Sequence, residues 1–188
     1  MKEKLRAHIE NLIPLTDAEF LHILPHFSFE KYNKNDFLIQ EGEHVTNCYL
    51  VVSGLLKLVY DDKNGKQHII SFAMEDWWES DFSAYFSQKR AKMSLQCIEN
   101  TVVFSLSFEN YKKLSAEFPK MKQFFLEKSN SGHIASQNRI LSFLTSSAKE
   151  RYDQLLKQYP LLFQRVPRTL LASYLGVSRE TLSRLSSQ

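Results

Sequence analysis

The eighteen residues Arg168-Thr-Leu-Leu-Ala-Ser-Tyr-Leu-Gly-Val-Ser-Arg-Glu-Thr-Leu-Ser-Arg-Leu185 admit few folds. Leu171, Leu175, Val177, Leu182 and Leu185 fall where two crossing helices must bury apolar surface, and Ala172 is small where the second helix passes closest over the first. Gly176 occupies the turn, where a left-handed backbone is easy only without a Cβ. Ser178 is placed to cap the second helix. The pattern predicts a helix-turn-helix whose second helix spans 178–187. With Leu182 and Leu185 turned inward, Arg179, Glu180, Ser183 and Arg184 face outward, at positions that meet base edges when such a helix enters a major groove. Arginine forks match guanine O6 and N7, and a glutamate accepts from the cytosine amino group. Arg168, Thr169, Ser173 and Ser178 are expected on phosphates, where they fix position and do not read sequence. The competing reading of the same pattern is an amphipathic hairpin with no nucleic-acid role.

Charge follows the first reading. Up to Asn138 the chain carries 16 Lys and Arg against 18 Asp and Glu, whereas from Arg139 onward it carries 8 against 3. The basic excess therefore sits at the C-terminal end, where a polyanion would be met. With 43% hydrophobic and 24% charged residues the chain has the balance of a globular protein, which excludes disorder and collagen-like structure. Apolar runs such as Leu161 to Phe163 are far too short to span a membrane, and Met1 to Ile13 has no export signal. A cytoplasmic protein is expected, with Cys48 and Cys97 as plain thiols, too few for a disulfide framework or an iron-sulfur cluster. His22, His26, His44, His68 and His133 show no metal-ligand spacing, so no metal is expected. Five glycines leave little room for cofactor loops, and no phosphate-cradling glycine loop, nucleophile elbow or metal-binding His pair is present. An enzyme is not expected.

The rest of the chain changes texture twice. Lys2 to Leu24 reads as two helices around Pro14, the second capped by Thr16 or Asp17. From Phe27 to about Leu106 short β-rich runs follow, among them 37–40, 48–52, 55–60, 68–73, 93–98 and 101–106. They are divided by turn signals at Asn35-Asp36, Gly42, Ser53-Gly54, Asn64-Gly65 and Glu99-Asn100, of which Asn64-Gly65 predicts a type I′ hairpin. Evenly spaced short strands predict a sandwich, barrel or jelly roll. Helical pattern returns at Phe108 to Phe118, then from Pro119 in a long helix with a mixed face of Met121, Phe124, Phe125, Lys128, Gly132, Ala135, Asn138 and Arg139. A further helix is expected from about Ile140 to Tyr159, closed by Pro160.

Ser178-Arg-Glu-Thr-Leu-Ser-Arg184 resembles the recognition helix of the Crp/Fnr family of transcription regulators, and the upstream order agrees, with Gln40-Glu-Gly-Glu43 and Val51-Val-Ser-Gly54 in the β region. The resemblance implies an α+β chain: a jelly-roll, cyclic-nucleotide-binding-like β-roll sensor domain with flanking helices (1–118), a long dimerisation helix (119–144) and a helix-turn-helix DNA-binding domain (145–188). It also implies a homodimer paired along the long helix, contacts with RNA polymerase, and Arg179, Glu180 and Arg184 as base readers. Many relatives continue into a β-hairpin wing after the recognition helix; this sequence stops at Gln188, which puts affinity in doubt more than specificity. In relatives that bind cyclic nucleotides, a Gly-Glu pair and a later Arg-Ser or Arg-Thr hold the ribose and phosphate. Here those positions read Ser80, Asp81, Ala91 and Lys92, so the main phosphate fork is missing and cyclic AMP is not expected. An unidentified small effector is the alternative, in a candidate pocket of Trp77, Trp78, Asp81, Arg90 and Lys92. The competing role of the aromatic residues Trp77, Trp78, Phe82, Tyr85 and Phe86 is to fill the core. A rival to the whole assignment is a ligand-binding or interaction module that has lost DNA binding.

Overall fold

The computed structural model describes residues 1–186; residues 187 and 188, where the predicted second helix and the C-terminal domain end, lie outside the described residues. Two short helices, α1 (Lys2–Glu10) and α2 (Asp17–Ile23), open the chain. Thr16 caps α2 in a reciprocal box with Glu19, which satisfies two otherwise orphaned backbone donors. After a 3-10 turn come β1 (Phe27–Tyr32), β2 (Phe37–Ile39), β3 (Asn47–Ser53), β4 (Leu56–Asp61), β5 (Gln67–Ala73) and β6 (Trp78–Glu79). Helix α3 (Phe82–Ser87) then precedes β7 (Ser94–Cys97) and β8 (Thr101–Ser107). Among the described residues these strands make two four-stranded antiparallel sheets, ordered β1-β8-β3-β6 and β2-β7-β4-β5. This is the expected jelly roll. Strands β1 and β6 and helix α3 were not separately expected from the sequence.

One turn differs from expectation. The β4–β5 hairpin is closed by Asp62 N–H donating to Lys66 O (3.0 Å) and Gly65 N–H to Asp62 O (2.9 Å), with Gly65 but not Asn64 at positive φ. It is a three-residue loop built on a type I turn and a left-handed glycine, not a type I′ turn. The Asp62 carboxylate decides it by accepting from the backbone N–H of both Asn64 and Lys66.

Six helices follow: α4 (Phe108–Glu117), α5 (Pro119–Thr145), α6 (Ala148–Gln158), α7 (Pro160–Arg165), α8 (Arg168–Leu175) and α9 (Arg179–Leu185). Helix α5 continues through Gly132 to Thr145, so Ile140 to Leu144 end the long helix and do not begin the next one. The break falls at Ser146-Ser147 because Ser147 and Glu150 form a second capping box. Pro160 occupies the first turn of α7, a helix not anticipated.

Burial divides into two clusters that meet across the second sheet. The first fills the space between the sheets and runs out to Leu5, Ile9, Phe20, Leu114, Met121 and Phe124 of the flanking helices. The second joins Leu55, Val59, Ile69, Phe72 and Ile98 of the β-roll to Tyr152, Leu155, Leu162, Val166, Leu171, Ala172, Leu175 and Leu182 of the C-terminal helices. The C-terminal helices are therefore seated on the β-roll by a common apolar interior.

Helix α1 is anchored by a buried histidine. His8 Nε2 accepts from Trp78 Nε1–H at 3.0 Å, which leaves the ring proton on Nδ1 to donate to Asp76 at 3.3 Å. Desolvation, helped by the nearby Lys128 ammonium and opposed by Asp76, pushes the imidazole down to about 4. A histidine whose folded pKa lies below its unfolded value gives stability that is fully present above the unfolded pKa and is lost as pH falls toward the folded one. Between pH 7 and 4 the parent should lose about 2–3 kcal/mol more stability than His8→Gln, in which an acceptor for Trp78 is kept but nothing titrates. Urea denaturation of both proteins across that range checks this; parallel pH profiles would show that His8 is not the group responsible.

Candidate nucleic-acid interface

Helices α8 and α9 form the helix-turn-helix the spacing requires. Leu171, Ala172, Leu175 and Leu182 are buried, Val177 and Leu185 half-buried. Gly176 has φ +69°, and a Cβ there would lie 2.8 Å from Phe143 Cε1, so both backbone conformation and space demand glycine. Ser178 accepts from Thr181 N–H (3.1 Å) and thereby starts α9.

That cap fixes which side chains point outward. Arg179, Glu180, Ser183 and Arg184 are all exposed, on the face opposite buried Leu182. The Glu180 carboxyl is held below the usual carboxylate range by its own backbone N–H and by Ser178, so it is an anion and an acceptor at neutral pH. Arg184 Nη2 donates to Thr181 Oγ1 at 3.3 Å, leaving the rest of its fork outward. Arg168 and Thr169 are exposed in the first turn of α8. Of the other two expected phosphate ligands, one takes its expected capping role and the other faces the β-roll. Ser178 uses its oxygen as the cap, and Ser173 Oγ donates to Gln67 O of β5 at 3.3 Å, facing the β-roll.

Of the expected effector residues, the structure brings Asp81 against the Lys92 backbone, whereas Trp77, Trp78 and Arg90 are engaged with other partners. Trp78 packs near Phe27, Phe124 and His8, and Trp77 meets Tyr159 edge-on with centroids 4.9 Å apart. Both tryptophans join helices to the β-roll. Asp81 is buried, capping α3 through Ala84 N–H and accepting Lys92 N–H at 2.8 Å. Arg90 is exposed and donates to Gly42 O at 2.6 Å. Nearby, Glu79 is buried with Ser71 Oγ and Ser80 N–H as donors, and burial pushes its carboxyl up to about 7. The segment thus holds two buried carboxyl groups, and its one arginine donates to a backbone carbonyl.

Other residues at the junction went unnoticed in the sequence. Arg165 of α7 makes paired hydrogen bonds to Glu75 (2.7 and 3.1 Å) and to Glu99 (3.1 and 2.7 Å), two carboxylates from separate β-roll turns. Arg139 and Arg151 approach the end of α8 from α5 and α6. Nothing local in the sequence pairs these residues. Among the described residues no group of His, Cys, Asp and Glu could hold a metal ion, and no helix is long and apolar enough to cross a membrane.

Comparison with known proteins agrees with this geometry. Residues 29–118 match the cyclic nucleotide-binding domain. The chain is 23% identical over 163 residues to an anaerobic regulatory protein of Aggregatibacter actinomycetemcomitans, covering 81% of this chain and 63% of that one. It is 22% identical over 184 residues to the cAMP-activated global transcriptional regulator CRP of Escherichia coli O6:H1, covering 92% and 87%. The solved structure of FixK2 from Bradyrhizobium japonicum superposes with a TM-score of 0.74 at 18% identity, covering 86% of this chain and 83% of that one. Residues 29–118 are thus a cyclic nucleotide-binding domain in fold. The described chain as a whole shares the fold of the solved FixK2 structure.

Proposed function

We propose that this protein is a homodimeric, cytoplasmic, DNA-binding transcription regulator that reads a partly palindromic site with α9. One observation carries the reading: the capped helix α9 buries Leu182 and presents Arg179, Glu180, Ser183 and Arg184 together on its free face. Arg168 and Thr169 supply phosphate contacts beside it. The second subunit pairs along α5, whose Leu126, Ile134, Leu141 and Leu144 are more than half exposed and recur near helical spacing. Half-sites then lie roughly 34 Å apart. Regulation is exerted through RNA polymerase, and the β-roll responds to a small effector other than cyclic AMP, a choice supported by the buried carboxyls of Glu79 and Asp81.

Selection of bound fragments from genomic DNA, followed by anisotropy titration at several salt concentrations, tests the assignment. Sequence-selective binding that weakens steeply with salt is expected; equal affinity for all fragments would overturn the base-reading role of α9, and no binding would leave a ligand-binding module without DNA function. Arg179→Ala should cost about 1–3 kcal/mol on the selected site and relax preference at one base pair of each half-site. The same loss on random DNA would reduce Arg179 to a phosphate contact.

A further inference from the structure

Helix α8 ends with carbonyls that its own backbone cannot all satisfy. The left-handed Gly176 lets two of them be met internally: Gly176 N–H donates to Ser173 O at 3.1 Å and Val177 N–H to Ala172 O at 3.0 Å. The next two are met from outside. Arg139 Nη2 donates to Tyr174 O at 3.1 Å, and Arg151 Nε to Leu175 O at 3.2 Å. Both guanidinium carbons lie 4.9 Å from the Phe143 ring centroid, on the aromatic side chain that also fills the space a Gly176 Cβ would need. The turn of the helix-turn-helix is thus built against the last turns of the long helix and the start of α6.

Arg139 does one thing more. The same Nη2 reaches Ile69 O of β5 at 3.3 Å, and the guanidinium lies 3.7 Å from the Tyr174 ring centroid. Strand β5 is at the edge of its sheet, and between Val59 and Leu58 of β4 it carries an extra residue, Ile70, directly after Ile69. An edge carbonyl beside a bulge is available to a partner outside the ladder. One side chain therefore touches the β-roll, belongs to the long helix and grips the turn that orients α9.

We infer that Arg139 is a positioning residue through which strand β5 and the long helix set the orientation of the recognition helix. The inference rests on the DNA-binding reading and deepens it. Arginine suits the role because its planar guanidinium stacks on the Tyr174 ring while Nη2 donates to both carbonyls; a lysine ammonium has donors enough but no plane to stack. The bonds from Arg165 to Glu75 and Glu99 hold the same two parts together away from the turn, and Ser173 joins the last turn of α8 to Gln67 without reaching the long helix.

The test compares Arg139→Lys and Arg139→Met with the parent in three readouts: affinity for the selected site, affinity for random DNA, and amide exchange at 67–73 and 174–178. Both variants should bind the selected site at least about 10-fold more weakly with random-DNA affinity unchanged, and exchange should quicken in both segments together. The lysine variant keeps the charge, so its failure to rescue locates the effect in geometry. Parent-like site affinity, equal losses on both DNAs, or faster exchange in only one segment would overturn the inference. If the parent itself selects no DNA, the functional reading fails, and the paired exchange at β5 and the turn alone decides whether Arg139 couples them.

Discussion

Replacing Leu141 and Leu144 together with glutamate should convert a dimer into a monomer and lower affinity for the selected DNA site by about 100-fold or more. The two side chains are 57% and 78% exposed, and with Leu126 and Ile134 they leave large apolar area on a helix that otherwise buries only its first turns, at Met121, Phe124 and Phe125. Removing that area from water is worth roughly 25 cal/mol per Å², and a second copy of the same helix offers a self-complementary surface. Asn130, His133 and Gln137 lie between the apolar residues, where polar groups fix register at some expense of stability. Because neither leucine is in the protomer's own core, the variant should fold normally, and the lost affinity should reflect one half-site acting without the other. Sedimentation and site titration are read together. A variant that stays dimeric, or a monomer that binds as tightly as the parent, would remove α5 as the pairing surface.

Local stereochemistry was legible in the sequence; partners distant in the chain were not. Gly176, Ser178 and the leucine spacing describe the helix-turn-helix completely because each requirement lies within a few residues of the next. Most strands could be read from β-rich runs between turn residues, but β6 is two residues long and takes its identity from pairing with Tyr49 and Leu50. The aromatic run before β7 illustrates the limit. Its composition allows a pocket or a core, and only the approach of His8, Phe124 and Tyr159 shows that Trp77 and Trp78 join elements together. Ser173 fits a phosphate contact by position, and the β5 strand that faces it is more than a hundred residues away. The division between α5 and α6 was readable after all. Ser147-Ala-Lys-Glu150 is a capping box in plain view, obscured by an apolar stripe that continues across the break.

The joint core carries the other large effect. Leu162 of α7 is 2% exposed within the cluster that includes Leu55, Val59, Ile69, Phe72 and Ile98 of the β-roll. Truncation to alanine removes buried methyl groups and leaves a cavity, at a cost of about 2–5 kcal/mol. Independent domains would confine that cost to the helices of residues 148–185. A common interior predicts otherwise: the second sheet is covered on one face by the inter-sheet core and on the other by these helices, so loosening the helices exposes Val59, Ile69 and Phe72 to water. Leu162→Ala should therefore lower the midpoint of a single unfolding transition, with amide protection falling in β4 and β5 as well as in α6 to α9. Two separated transitions, with protection in β4 and β5 unchanged, would mean that the sheet is stable without its helical cover. The orientation of α9 would then not be set by the β-roll.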